Sequence, residues 1–184
     1  MYISRKLKQT NIVEYVLYMW HIEELIRSLN FDLNEIEHKV VVDFNLDNKR
    51  NKEMLAWYQG LMDTMTAQRI KEKGHMEELH EIMTELTYLH TSLLTLYKDK
   101  QYEQLVAAAQ DDLEALKSKS GNAKKQDIEL AMNAMFGVLV LKLKRKKVSE
   151  ATQQAVMSIT KMMGYLGKKY HVMKAGNLEL PEND

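Results

Sequence analysis

Two Glu-x-x-His motifs, Glu35/His38 and Glu77/His80, are the residues whose types and spacing come nearest to a known chemistry. On bundle helices, two such motifs plus one glutamate from each of two further helices build a di-iron or di-manganese carboxylate centre. That chemistry requires every ligand to point inward. Stepped at about 100° per residue, these ligands do not. Glu35 and His38 fall away from Ile36, Val40 and Phe44. Glu77 and His80 lie beside or opposite Leu79, Met83 and Leu86. Both motifs read as solvated helix faces, and no metal or other cofactor is expected.

His75 and His90 differ, because both fall on the apolar side of the helix that follows Gly74. They stand 15 positions apart, about 22 Å along a helix, and cannot share one metal. Each is expected to be a core histidine donating to a backbone or carboxylate partner. For His75, beside the break at Gly74, capping of the preceding carbonyls is the alternative. Glu23 and Arg27, four residues apart and close to the apolar side, could orient a ligand, but are expected to form a satisfied ion pair at a helix edge.

The basic run Lys142, Lys144, Arg145, Lys146 and Lys147 could contact phosphate, an anionic surface or a partner. At a helix C-terminus it also complements the dipole. No aromatic residues interleave with it and no recognition helix accompanies it, which argues against nucleic-acid binding. Thirteen methionines could line an adaptable apolar groove, but their places on the helical stripes read as core filler. The sequence has no phosphate-cradling glycine loop and no Gly-x-Ser-x-Gly motif. It has no cysteine, hence no thiol nucleophile, thiolate metal site or disulfide, and it suits a reducing cytoplasm.

The elements that must position these residues are helices. The chain has 184 residues with one proline and seven glycines, enough for one cored domain and too little turn material for many short strands. Met54, Tyr58, Leu61 and Met65 share one helical stripe, and Met76, Leu79, Met83, Leu86, Leu93 and Tyr97 share another. Between them, cations, Gly74 and then Glu77 and Glu78 give the charge order of one helix ending and another beginning. Two antiparallel helices joined near Gly74 are expected.

Asn11 opens a helix, with apolar residues from Ile12 to Leu29 covering most of its circumference, so that helix should be largely buried. Asp32 caps a short helix to Phe44, whose Val40-Val41-Val42 run is also strand-like. Asn45 to Asn51 reads as a loop. Asp99 caps a peripheral helix through Leu116, and Lys117 to Asn122 is the clearest loop. Ile128 to Leu143 is apolar almost all round, and should be either the innermost helix or part of a subunit interface. Ser149 caps a last helix that Gly176 ends. The bundle domain spans 1–174, and 175–184 is expected to be a flexible acidic tail. No segment is suited to span a membrane, and the start lacks the apolar core of an export signal.

Formal charge is balanced overall but unevenly spread. Residues 1–116 carry 13 Lys and Arg against 20 Asp and Glu, a balance of −7. Residues 117–174 carry 13 against 3, a balance of +10, and three acids follow. Such a split favours halves that attract each other, head-to-tail pairing of chains, or an anionic partner.

Asn-Ile-x-Glu-Tyr-x-Leu-Tyr-Met-Trp from Asn11 to Trp20, Gly-His-Met-x-Glu-Leu from Gly74 to Leu79, and Leu89-His90 together resemble a family of uncharacterised all-helical bacterial proteins, a domain of unknown function. The resemblance implies a helical fold and a bacterial, cytoplasmic setting. It implies no activity, substrate or catalytic residue. The expectation is a single all-α domain of six or seven mostly antiparallel helices. Its leading function is non-enzymatic, acting through protein contacts and self-association as a homo-oligomer. The alternative is a small apolar or anionic ligand held in a Met-lined cavity; a metal-carboxylate protein stands third.

Overall fold

The computed structural model describes residues 2–120 and 126–180. These residues form eight helices and no strand: α1 Tyr2–Thr10, α2 Ile12–Ser28, α3 Leu33–Ile36, α4 Asn48–Ala67, α5 Glu77–Thr95, α6 Lys100–Ser120, α7 Asp127–Leu143 and α8 Glu150–Lys174. The helix beyond the expected seven is α1, nine residues that are exposed apart from Ser4 and Leu7.

The helices begin where side-chain oxygens can serve orphan backbone donors. Asn11 accepts from Glu14 N–H, Asp32 from Asn34 and Glu35, Asp99 from Tyr102, and Ser149 from Thr152. They end on left-handed residues that let the chain fold back on the last turn. Arg69 (φ 58°), Lys98 (φ 45°) and Arg145 (φ 52°) do this for α4, α5 and α7, and Gly176 (φ 73°) does it for α8. A second glycine, Gly74 at φ 96°, breaks the chain between α4 and α5, as the charge order predicts.

Three expectations are corrected. Asn45 to Asn51 is not all loop, because Asp47 accepts from Arg50 N–H and starts α4 at Asn48. Lys117 to Ser120 is helical, the last turn of α6, whereas Gly121 and Asn122 lie outside the described residues. Glu37 to Phe44 widens into a π turn and then tightens into a 3-10 turn, so the β-branched run bends without becoming a strand.

The core runs through α2, where Ile12, Val13, Tyr15, Val16, Leu17, Met19, Trp20, Ile22 and Ile26 are all buried. It is the innermost helix. On it close α7, α8 and, through the shared cluster, Tyr58, Met62 and Met65 of α4 and Leu79, Leu86 and Leu89 of α5. Gly167 lets α8 come close to the start of α2, since a Cβ there would stand 3.2 Å from Val13 Cγ2.

The other all-round apolar helix, α7, is not innermost. Ile128, Leu130, Ala131 and Met132 are buried, but its last two turns emerge, and Leu143 is 52% exposed. Helix α6 lies along α8 by one narrow stripe, Tyr102, Ala109 and Leu113. Of the acidic tail, Leu178 packs against the core and residues 181–184 lie outside the described residues. Among the described residues, no helix is long and apolar enough to cross a membrane.

Candidate functional site

An open cleft of about 560 Å³ separates α5 from α7. One wall is the face of α5 that repeats every three or four residues: His80, Met83, Thr84, Thr87, Tyr88 and Thr91. The other is Gln126, Glu129 and Asn133 of α7, and Trp20 and His75 close one end. The cleft's position follows from the break at Gly74. That turn brings His75 round to meet α2, two residues ahead of the helix that forms the wall.

Glu23 fixes His75 there. Its carboxylate is fully buried on α2. One oxygen accepts from His75 Nδ1 at 2.6 Å, and the other accepts the Met76 backbone N–H at 2.8 Å. A buried carboxylate needs such donors to offset its lost hydration. It also serves the positive end of α5. In the neutral imidazole, committing Nδ1–H to Glu23 leaves the lone pair of His75 on Nε2. That atom has no protein partner among the described residues, and the side chain keeps 28% of its exposure. Trp20 stacks on the imidazole with ring centroids 4.4 Å apart and planes 16° from parallel. Phe136 meets Trp20 edge-on, and the indole Nε1–H of Trp20 is buried without a partner.

Arg27 does not pair with Glu23, contrary to expectation. It reaches Glu24 at 2.7 Å and donates to the carbonyls of Ile70 and Gly74. The guanidinium holds two carbonyls of the α4–α5 turn and secures the segment that carries His75. The four-residue spacing put Glu23 and Arg27 on one side of α2, but each found a stronger partner across the fold.

The cleft's chemistry is one of recognition. The hydroxyls of Thr84, Thr87 and Thr91 all donate back to carbonyls of α5, so they offer lone pairs and not activated nucleophiles. His75 bonds no hydroxyl, and the described residues therefore hold no base–nucleophile pair in the cleft. Among the described residues, no Lys or Arg lines it.

The remaining candidates are dispersed. His90 Nδ1 meets the Tyr102 hydroxyl at 2.7 Å, neither the backbone nor the carboxylate partner expected; burial lowers its pKa against the opposing pull of Asp127. Beside it, Tyr165 stacks on Tyr102 and donates to Asp99, which also takes Lys169 at 2.8 Å. Burial works to raise the Asp99 pKa, but these donors outweigh it and hold the carboxyl below its ordinary value.

Glu35 pairs with Lys39, and His38 turns back to the Asn34 carbonyl. Glu77 and His80 are exposed on a different helix. The described residues contain no group of three His, Asp or Glu placed to hold a metal. Met19, Met54, Met62, Met65, Met76, Met132, Met162 and Met163 fill the core, and Met83 alone of the methionines lines the cleft. Lys142, Lys144, Arg145, Lys146 and Lys147 are all exposed at the end of α7 and the turn beyond it.

Sequence reasoning placed His75 on the apolar side and singled out Glu23, but missed their contact, Trp20 and the threonine face of α5. The signal for Glu23 was its place among α2 residues that cover every side.

The family described as Domain of unknown function (DUF4924) matches residues 1–177. No curated protein matches the chain, and no solved structure does.

Proposed function

We infer, for a chain that belongs to the DUF4924 family of domains of unknown function, that it acts by binding, and that the α5–α7 cleft takes a small uncharged or amine-bearing molecule. The observation that carries this reading is the Glu23–His75 pair, which orients one imidazole acceptor at the end of a cleft lined with threonine oxygens. A guest that donates from a hydroxyl or ammonium group fits His75 Nε2 and the threonine oxygens. This departs from an anionic ligand, which would meet no cation among the described lining residues, and from a Met-lined cavity. A volume of about 560 Å³ suits a ligand of metabolite size. A cysteine-free chain of this kind suits the reducing cytoplasm.

The test uses the Trp57→Phe protein, in which Trp20 is the remaining indole of the two. Polyols, amines and carboxylates are screened by thermal shift and by Trp20 emission. The expected hit is a hydroxylated or amine compound whose affinity falls about tenfold in His75→Ala, the size of one good hydrogen bond. A ligand bound equally well after Thr87→Trp fills the cleft would overturn the assignment.

Self-association is favoured by a different feature. Tyr2, Val42 and Phe44 are exposed at 77%, 63% and 44%, and Tyr2 borders a groove with Leu46, Arg50, Glu53 and Met54. Arg50 and Glu53 on one apolar surface give a two-fold pair of copies complementary charges. Sedimentation of wild type against Val42→Lys/Phe44→Lys distinguishes a homo-oligomer built there from a monomer, and monomer alone across micromolar concentrations removes this reading.

A further inference from the structure

The strongest unused feature is the end of α7 and the turn that leads into α8. Phe136, Leu139, Val140 and Leu143 recur at helical spacing and so share one face. Phe136 and Leu139 pack against the core, Val140 is half-buried and Leu143 is 52% exposed, so the stripe emerges from the bundle toward the end of α7. The stripe runs outward into Lys142, Lys144, Arg145, Lys146 and Lys147, none of which makes an ion pair with a described residue. From 130 to 174 the sequence has a single acid, Glu150. Arg145 holds a left-handed conformation at φ 52° and its N–H returns to Lys142 O, so the turn is closed and presents its side chains from a fixed backbone.

We propose that this end of α7 and the α7–α8 turn form a peripheral docking surface for an anionic lipid membrane, with Leu143 entering the headgroup boundary and the five cations on lipid phosphates. Charge complementarity selects the occupant. A second copy seated on the same patch across a two-fold axis would set five cations against five, which repels. A nucleic acid would satisfy the cations but leave the apolar stripe against phosphate and water, with no aromatic side chain in the turn to stack on a base. A bilayer surface offers both parts together: anionic headgroups and, beneath them, an apolar phase for Leu143. Attraction of this kind adds about fivefold in affinity per cation near the surface. Burial of one leucine side chain adds about tenfold.

Co-sedimentation of the full chain with vesicles tests this. One set is phosphatidylcholine with about one third phosphatidylglycerol, a content typical of anionic leaflets, and the other is phosphatidylcholine alone. Binding to the anionic set only, weakened by salt, is expected. Lys144→Glu/Lys146→Glu/Lys147→Glu should abolish it, and Leu143→Asn should weaken it about tenfold; both variants change exposed positions and should keep the wild-type helical circular dichroism. Inorganic phosphate at millimolar concentration should not compete, which separates a headgroup surface from a free-phosphate site. Absence of binding to anionic vesicles overturns the proposal. So does anionic binding that ignores Leu143→Asn, or binding of duplex or single-stranded nucleic acid that matches or exceeds the vesicles, because a purely electrostatic surface would behave that way.

Discussion

Glu23 on α2 and His75 ahead of α5 are 52 residues apart in the chain, yet their Oε2 and Nδ1 atoms lie 2.6 Å apart. The same carboxylate takes the Met76 N–H, so one buried side chain orients the cleft's imidazole and starts the helix that forms its wall. Recognition and folding share this residue, and its removal should disturb both.

Glu23→Ala leaves two donors, His75 Nδ1–H and Met76 N–H, without an acceptor. Stranding a buried donor costs about 1–3 kcal/mol, and the loss in urea unfolding should be about 3 kcal/mol. Glu23→Gln keeps one acceptor oxygen and should lose less. His75→Ala, which removes a donor and leaves Glu23 its backbone partner, should be the mildest of the three. Equal stability of Glu23→Ala and wild type would show that the pair contributes nothing to the fold.

Two histidines should make the protein less stable in mild acid. Burial depresses the pKa of His21 on α2 and of His90 on α5 below the ordinary value of 6.5, Asp127 opposing the shift at His90. The unfolded chain then binds more protons than the folded one below that value, so stability falls as pH drops through 6.5 toward the folded pKa values. The difference in unfolding free energy between pH 7.5 and pH 5 should shrink in His21→Gln/His90→Gln, whatever that variant's own baseline. An unchanged slope would mean that neither imidazole resists protonation in the fold.

What the sequence made legible was local. Asn11, Asp32, Asp99 and Ser149 cap helices because an N-cap is written within four residues, and Gly74 breaks the chain because only its own backbone must turn. Composition misled where polar residues continue a helix, as at Asn48 and at Lys117 to Ser120. Two helices apolar on every side, α2 and α7, compete for the centre, and the pattern within either does not rank them. Packing did, since α2 is buried at Ile12, Val16, Trp20 and Ile26 along its whole length, whereas α7 emerges at Leu143. The cleft was least legible of all. Its three parts, Trp20 with Glu23, His75, and the threonine face, belong to separate segments, and only the turn held by Arg27 brings them together.

A second pH window should open in stronger acid. The donors around Asp99, Lys169 first, then Tyr102 N–H and Tyr165, hold its carboxyl below the ordinary 3.8 despite burial. Likewise the Glu85 carboxyl, bonded by Lys174 and Tyr170, lies below its ordinary 4.5 against the upward push of burial. Each contributes stability that is complete above those ordinary values and is lost as pH falls through the folded ones. Asp99→Asn keeps the N-cap of α6, because an asparagine oxygen accepts the Tyr102 N–H as an aspartate oxygen does. The gap between Asp99→Asn and wild type, measured by urea unfolding, should be full at pH 6 and should narrow below about pH 4. A gap independent of pH would assign the loss to packing and not to charge.

The turn between α4 and α5 predicts mutations of opposite sign five residues apart. Arg69 is exposed, makes no ion pair with a described residue, and holds φ 58° to let its N–H reach Thr66 O. A left-handed residue with a Cβ costs about 1–2 kcal/mol, and glycine avoids that cost while giving back part of it as entropy of the unfolded chain. Arg69→Gly should therefore stabilise by about 0.5–1 kcal/mol. Gly74 sits at φ 96°, a conformation that alanine resists, and its Cβ would also touch Ile70 Cγ2 at 3.4 Å. Gly74→Ala should destabilise by about 1–2 kcal/mol. Because the carbonyl of Gly74 takes Arg27, that strain also displaces His75, so Gly74→Ala should weaken ligand binding in the cleft as well as the fold, whereas Arg69→Gly should leave binding unchanged. If both substitutions moved stability in the same direction, backbone conformation would not be what governs this turn.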